Sequence, residues 1–336
     1  MLHVLFALSA MGADTTTAKV RADSAREEVV ITVAGITLPG GVAYDHHGND
    51  SRAYFTWPVR GTARGFRVDL LDSAGRSLPR LMLHHAGIAN FSRRQLAYPM
   101  VERMFAAGRE TRPVLLPDGY GVPIDSDAEL GLYYALVNPA DTAITGASLR
   151  VTIRWTPEPT GARKPTLLYP IGLGANADFV STRMFDVPPG RSVSTADVVL
   201  PISGWIRAMS AHAHDYVVEL RLEDVETGKT LLAIHANRDG RGALKSLPTE
   251  TFRFSRHGLA VTAGRRYRVV SIYDNPTADT LHSGAMAFLA GVFIPRDARA
   301  WPAIDASDPV FAADAAVMRG ISSAGASATH HHGQMK

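Results

Sequence analysis

From about residue 28, short apolar runs alternate with clusters of glycine, proline and aspartate. Residues 29–33 (Val-Val-Ile-Thr-Val), 53–57 and 65–71 carry the β-branched and aromatic side chains that favour strands. The Pro39-Gly40-Gly41 and Asp72-Ser73-Ala74-Gly75 stretches read as turns between them. Similar runs follow at 131–139, 149–155, 194–200, 229–235, 266–273 and 285–293. One segment departs from this alternation. At 93–107, Leu96, Met100, Val101, Met104 and Phe105 fall at helical spacing before Gly108, which predicts a helix with its methionines in the core. Many short strands with few helices predict an all-β chain of two tandem β-sandwich, jelly-roll-like domains. Three prolines and a glycine at 156–165 mark the boundary between them. The expected layout is a signal-like or disordered start at 1–27, a sandwich at 28–156, a linker at 157–165, a sandwich at 166–298 and a tail at 299–336. The tail holds a short helix at 310–318, a small-residue segment, and His330, His331 and His332. These three histidines have two readings, metal capture or a solvated terminus.

At 336 residues, 46% hydrophobic and 20% charged, the chain has the composition of an ordinary globular protein. The net charge of +3 comes without a basic run interleaved with aromatics, so nucleic acid is not an expected partner. There is no cysteine, which removes disulfides, thiolate ligands and thiol nucleophiles. The first residues form an apolar run ending in small side chains without a cationic start. It reads as a shortened secretory signal, implying a secreted or periplasmic protein, or as a plain disordered end. No other run approaches the roughly 18 apolar residues of a membrane span.

The chemistry-bearing stretch is Ala211-His212-Ala213-His214-Asp215, leading into an alternating segment. Side chains two apart on a strand share a face, about 6.6 Å apart along its axis. His212 and His214 can therefore serve one ion, or simply stand as a polar pair on a solvent face. Met286, at the start of a later strand-like run, adds a thioether; two imidazoles and a thioether form a soft donor set that favours copper, Cu(I) in particular. Gly-x-Ser-x-Gly, Walker-type and His-Glu-x-x-His motifs do not occur, and glycine-rich 172–177 lacks the context of a phosphate loop.

Taken together, the His-x-His run, Tyr273-Asp274-Asn275-Pro276, Met286 and the pair His84-His85 resemble the copper type II, ascorbate-dependent monooxygenases over residues 80–295. The resemblance implies two sandwich domains, one or two copper ions, ascorbate or another external reductant, and a small-molecule substrate. It implies that His212, His214 and Met286 hold the oxygen-activating copper and that His84 and His85 hold a second one. Adjacent strand residues face opposite ways, so the latter pair can converge only if the strand ends or bulges. Where the family has a third histidine this chain has Ala135, and His46 and His47 are the candidate replacements. Peptide-recognising residues are replaced by Ser210, Phe288 and Ala290, which favours an apolar or uncharged substrate. The alternative reading is a non-catalytic extracytoplasmic copper carrier. His235, His257 and His282 read as structural or surface groups, and the oligomeric state is left open.

Overall fold

The computed structural model describes residues 18–42, 51–158, 164–176, 184–252 and 257–320. It is all-β, as expected, with one large hydrophobic core in each half and a small third cluster under the C-terminal helix. In the first half, one sheet runs Lys19–Asp23, Glu28–Leu38, Ile144–Pro157, Gly61–Leu71, Tyr120–Pro123 and Thr166–Leu167. The facing sheet runs Ser51–Thr56, Glu129–Leu136, Leu83–Arg94, Val101–Gly108. Strand alternation fills the space between them. Val29, Ile31 and Val33 with Leu149, Val151 and Ile153 from the first sheet join Leu130, Leu132, Ala86 and Ile88 from the second in one buried cluster. Each such aliphatic side chain contributes about 1.5–3 kcal/mol on leaving water.

The second half repeats the plan. A sheet of Gly190–Val199, Arg266–Asn275, Val217–Asp224 and Lys229–His235 faces another of Tyr169–Gly174, Leu281–Pro295, Gly204–Ala213 and Glu250–Thr251. Ile206, Met209, Ala213, Ala287 and Leu289 meet Leu220, Leu222, Val269 and Ile234 in its core. The last residue of the first core is Trp155, and the second core resumes at Ile171.

The helix expected at 93–107 is absent. The strand Leu83–Arg94 ends there, the chain bends through 95–100, and Val101–Gly108 is a strand. The apolar spacing has another cause: Leu96 packs into the second core, Met104 into the first, and Val101 under the C-terminal helix. One sequence pattern thus serves three clusters instead of one helical face. The segment also seams the halves. The Tyr98 hydroxyl accepts from Gly174 N at 3.0 Å, and Trp301 Nε1 donates to Arg94 O at 3.0 Å while stacking on Tyr169.

The tail helix forms at Pro309–Met318, capped by the Asp308 carboxylate accepting from Val310 N and Phe311 N. Asp314 fastens it, accepting from Val101 N at 2.9 Å and from both terminal nitrogens of Arg103 at 2.6 Å. No helix among the described residues is long and apolar enough to cross a membrane. The signal-like start, His46, His47 and the terminal histidines lie outside the described residues.

Candidate functional site

His84 and His85 converge because their strand bulges. Pairing with the neighbouring strand jumps from Leu83 opposite Leu136 to His85 opposite Ala135, which makes His84 the extra residue of the bulge. The break in alternation brings the two rings to 4.9 Å, centroid to centroid. This meets the condition that the sequence set for the pair. His84 is buried, and its ring lies 6.2 Å from that of His214 in the other half. Tyr133 stands 6.1 Å from His85, with its hydroxyl where a side chain on Gly87 would be, so any larger residue there would displace the Tyr133 ring.

In the second half, His212 pairs with Phe288 across the sheet, and its neighbours Ala211 and Ala213 pair with Leu289 and Ala287. Because Ala213, Ala287 and Leu289 face the core, His212, Phe288 and Met286 share the other face. His214 follows just past the strand end, 5.7 Å from His212 and at 89° to it. The chain then turns sharply, with Tyr216 at φ 69° and Val217 N donating to His214 O. Met286 is half-buried, and its carbonyl accepts from the Tyr273 hydroxyl at 2.8 Å. Burial pushes the Tyr273 phenol well above its ordinary pKa, so it acts as a neutral donor.

The group that ties the halves together electrostatically is Glu110. Its Oε1 lies 3.1 Å from His212 Nδ1, with the carboxylate 6% exposed and the imidazole 17%. Burial pushes the Glu110 acid up, but hydrogen bonding and charge from His212, its own backbone N–H, and Arg109 outweigh burial and hold it below the usual carboxylate range. An ionised Glu110 accepts, so His212 carries its proton on Nδ1 and Nε2 is the basic nitrogen. His214 has the same orientation, since its Nδ1 is 3.3 Å from the Gly284 carbonyl, which can only accept. Alongside, Arg109 Nη2 pairs with Asp215 Oδ1 at 2.6 Å, and that oxygen also accepts from Leu244 N.

Sequence reasoning reached His84, His85, His212, His214 and Met286 but missed Glu110, Arg109 and Asp215. Asp215 directly follows the His-x-His run, so its proximity to the site was legible. Glu110 had only the Gly108 punctuation nearby, which signalled a helix stop. Of the remaining histidines, His282 is exposed beside Asp186, His235 is exposed beside Glu219, and His257 lies against Trp205. Gly172 and Gly174 sit in a strand paired with Ala290 and Phe288, not in a phosphate loop.

The fold and site define an all-β, two-sandwich protein with a histidine- and glutamate-lined junction. Among solved structures it is similar to PNGase F, a glycosylasparaginase from Flavobacterium meningosepticum, with TM-score 0.39 and 9% identity over 78% of this chain and 95% of that one. It is similar to PNGF-II, with TM-score 0.37 and 7% identity over 88% of this chain and 64% of that one. The cowpea mosaic virus top component gives TM-score 0.34 and 12% identity over 88% and 95%. No family model matches the chain, and no curated protein matches it. At these scores no residue role passes from those proteins to this one.

These findings correct the copper monooxygenase expectation, and the copper-carrier alternative is not supported either. The matching structures are a glycosylasparaginase, PNGF-II, an asparagine amidase and an empty virus particle, and no copper monooxygenase is among those named. Among the described residues, no three or more His, Asp or Glu side chains gather so as to hold a metal ion. At the His84-His85 pair, Ala135 opposite His85 supplies no third imidazole.

Proposed function

We propose that the chain is a hydrolase whose reacting group is the Glu110–His212 pair at the junction of the two sandwiches. The observation that carries this is the 3.1 Å contact between a nearly buried, ionised carboxylate and His212 Nδ1. A carboxylate so placed fixes the imidazole tautomer and stabilises the imidazolium that forms when Nε2 takes a proton. In the proposed reaction His212 Nε2 removes a proton from water as its oxygen attacks a carbonyl-type carbon. The same nitrogen then returns that proton to the leaving group. Such proton transfer supplies about 10²–10⁴-fold in rate. His214, with Nε2 also basic, stands beside it to bind a substrate hydroxyl or amide N–H. The substrate we infer is a small molecule, and the apolar N-terminal run supports an extracytoplasmic setting.

The test is turnover of a panel of chromogenic esters, anilides and glycosides together with an N-acetylglucosaminyl-asparagine peptide, the linkage from which one similar amidase takes its name. For any substrate turned over, His212→Ala and Glu110→Gln should each lower kcat/KM by about 100-fold or more. Hydrolysis that survives His212→Ala unchanged, or no turnover across the panel, would sink the reading.

A further inference from the structure

We infer that Arg80 is the positioning residue of this site, holding the Gly108–Thr111 turn so that Glu110 meets His212; this rests on the acid–base reading above. Arg80 begins the short 3-10 turn Arg80–Met82, just before the His84-His85 strand. Its guanidinium donates through Nη2 to Gly108 O at 3.0 Å and to Thr111 O, through Nε to Arg109 O at 3.2 Å, and through Nη1 to Val68 O at 3.2 Å. Glu110 therefore lies between two residues whose carbonyls are gripped by one rigid, planar cation, which is itself tied to the opposite sheet through Val68. The turn is also closed on itself, with Thr111 N donating to Gly108 O at 3.2 Å and Gly108 N donating to Thr111 Oγ1 at 3.0 Å. Gly108 completes the arrangement: a Cβ there would collide with the Glu110 carboxylate, which lies back across it.

The chemistry favours arginine specifically. Past the end of this edge strand the ladder supplies no partner for the Arg109 and Thr111 carbonyls, and the guanidinium provides one to each. Arginine offers five N–H donors in a fixed fork, whereas lysine offers a single rotating ammonium that cannot span four acceptors at these positions. The Glu110 charge also reaches the guanidinium. Burial pushes the Arg80 pKa down, while the charges of Glu110 and Asp69 push it back up. The Glu110–His212 contact of 3.1 Å leaves little slack, since by about 3.6 Å a hydrogen bond is lost.

The test is the imidazole ¹⁵N spectrum of His212 in the full chain, which reports the Nδ1–H tautomer directly, recorded for wild type, Arg80→Lys, Arg80→Gln and Glu110→Gln. Arg80→Lys and Arg80→Gln should keep the strand circular dichroism but move the His212 nitrogens most of the way to their Glu110→Gln values. With a turned-over substrate kcat should fall on the order of 100-fold, with KM little changed. A folded Arg80→Lys protein with the wild-type His212 signature would overturn the assignment, and so would failure of both Arg80 variants to fold, which would make Arg80 a stability residue only. If Glu110→Gln itself leaves His212 unmoved, the acid–base reading is what fails.

Discussion

Two buried glutamates eight residues apart, Glu102 inside the strand Val101–Gly108 and Glu110 just beyond it, have opposite electrostatic fates. Burial raises the Glu102 acid, and although Arg93 and Asn90 pull it part of the way back, it stands at about 7. Its Oε2 accepts from Asn90 Nδ2 at 3.1 Å, but Oε1 makes no hydrogen bond, and Arg93 Nη1 stands 3.5 Å away from it. Glu110 is desolvated to a similar degree yet stays below the usual carboxylate range, because His212, its own N–H and Arg109 all favour the anion. Burial alone therefore does not decide the charge of a carboxylate. The number and geometry of the groups solvating the anion do.

The largest expected effect tests the weakly solvated partner. Arg93→Met strands Glu102 without its cation, which should cost about 3–5 kcal/mol at pH 8, where Glu102 is ionised. Near pH 5 the acid is already protonated, and urea unfolding should show a much smaller loss. Equal losses at both pH values would show that Arg93 acts through its stacking over Tyr169, 5.3 Å from the ring, and not through Glu102.

Next comes Glu102 itself. A folded-state pKa raised from 4.5 to about 7 means that the folded protein binds the extra proton in that window. Stability therefore falls as pH rises from the unfolded value through the folded one, by about 3 kcal/mol in all. Glu102→Gln should flatten that slope; a persistent decline would assign it to another group.

Glu110 carries the opposite sign. Its folded pKa is depressed, so its contribution is present above the unfolded value and is lost as pH falls through the folded one. Glu110→Gln should cost about 1–3 kcal/mol at pH 7 and progressively less toward acid. A cost that grows toward acid would contradict the His212 pairing. The smallest effect belongs to Arg109→Ala, whose ion pair with Asp215 is partly exposed at 24% and 36%. Such pairs are worth about 0–1 kcal/mol, so a thermal melt shifted by more than a few degrees would mean that the Arg109 charge acts on stability through Glu110 as well.

Much of the fold was legible because strand burial follows local alternation. The 29–33 and 149–155 runs needed only the period of two. Even the His84-His85 convergence was legible as a condition, since adjacent strand residues can meet only at a bulge. The 93–107 segment misled for a definite reason: Leu96 and Met104 have helical spacing because a bend sends them into different cores. The copper chemistry failed for a related reason. A set of imidazoles and a thioether fixes donor types but not where the fold places them, and among the described residues no three or more His, Asp or Glu side chains gather so as to hold a metal ion.

By itself, then, the sequence determined the all-β class, the strand faces and the placing of most histidines in or beside strands, because these depend on neighbours within a few residues. Only the tertiary structure decided that Glu110 reaches His212, that Arg80 grips the turn bearing Glu110, and that Arg109 meets Asp215. Those contacts join residues that are 102, 28–31 and 106 positions apart. Nothing local marks them, because a charged side chain in a turn looks the same in sequence whether it faces water or an imidazole from another sheet. What settles the matter is desolvation, which exists only once the two sandwiches close on each other.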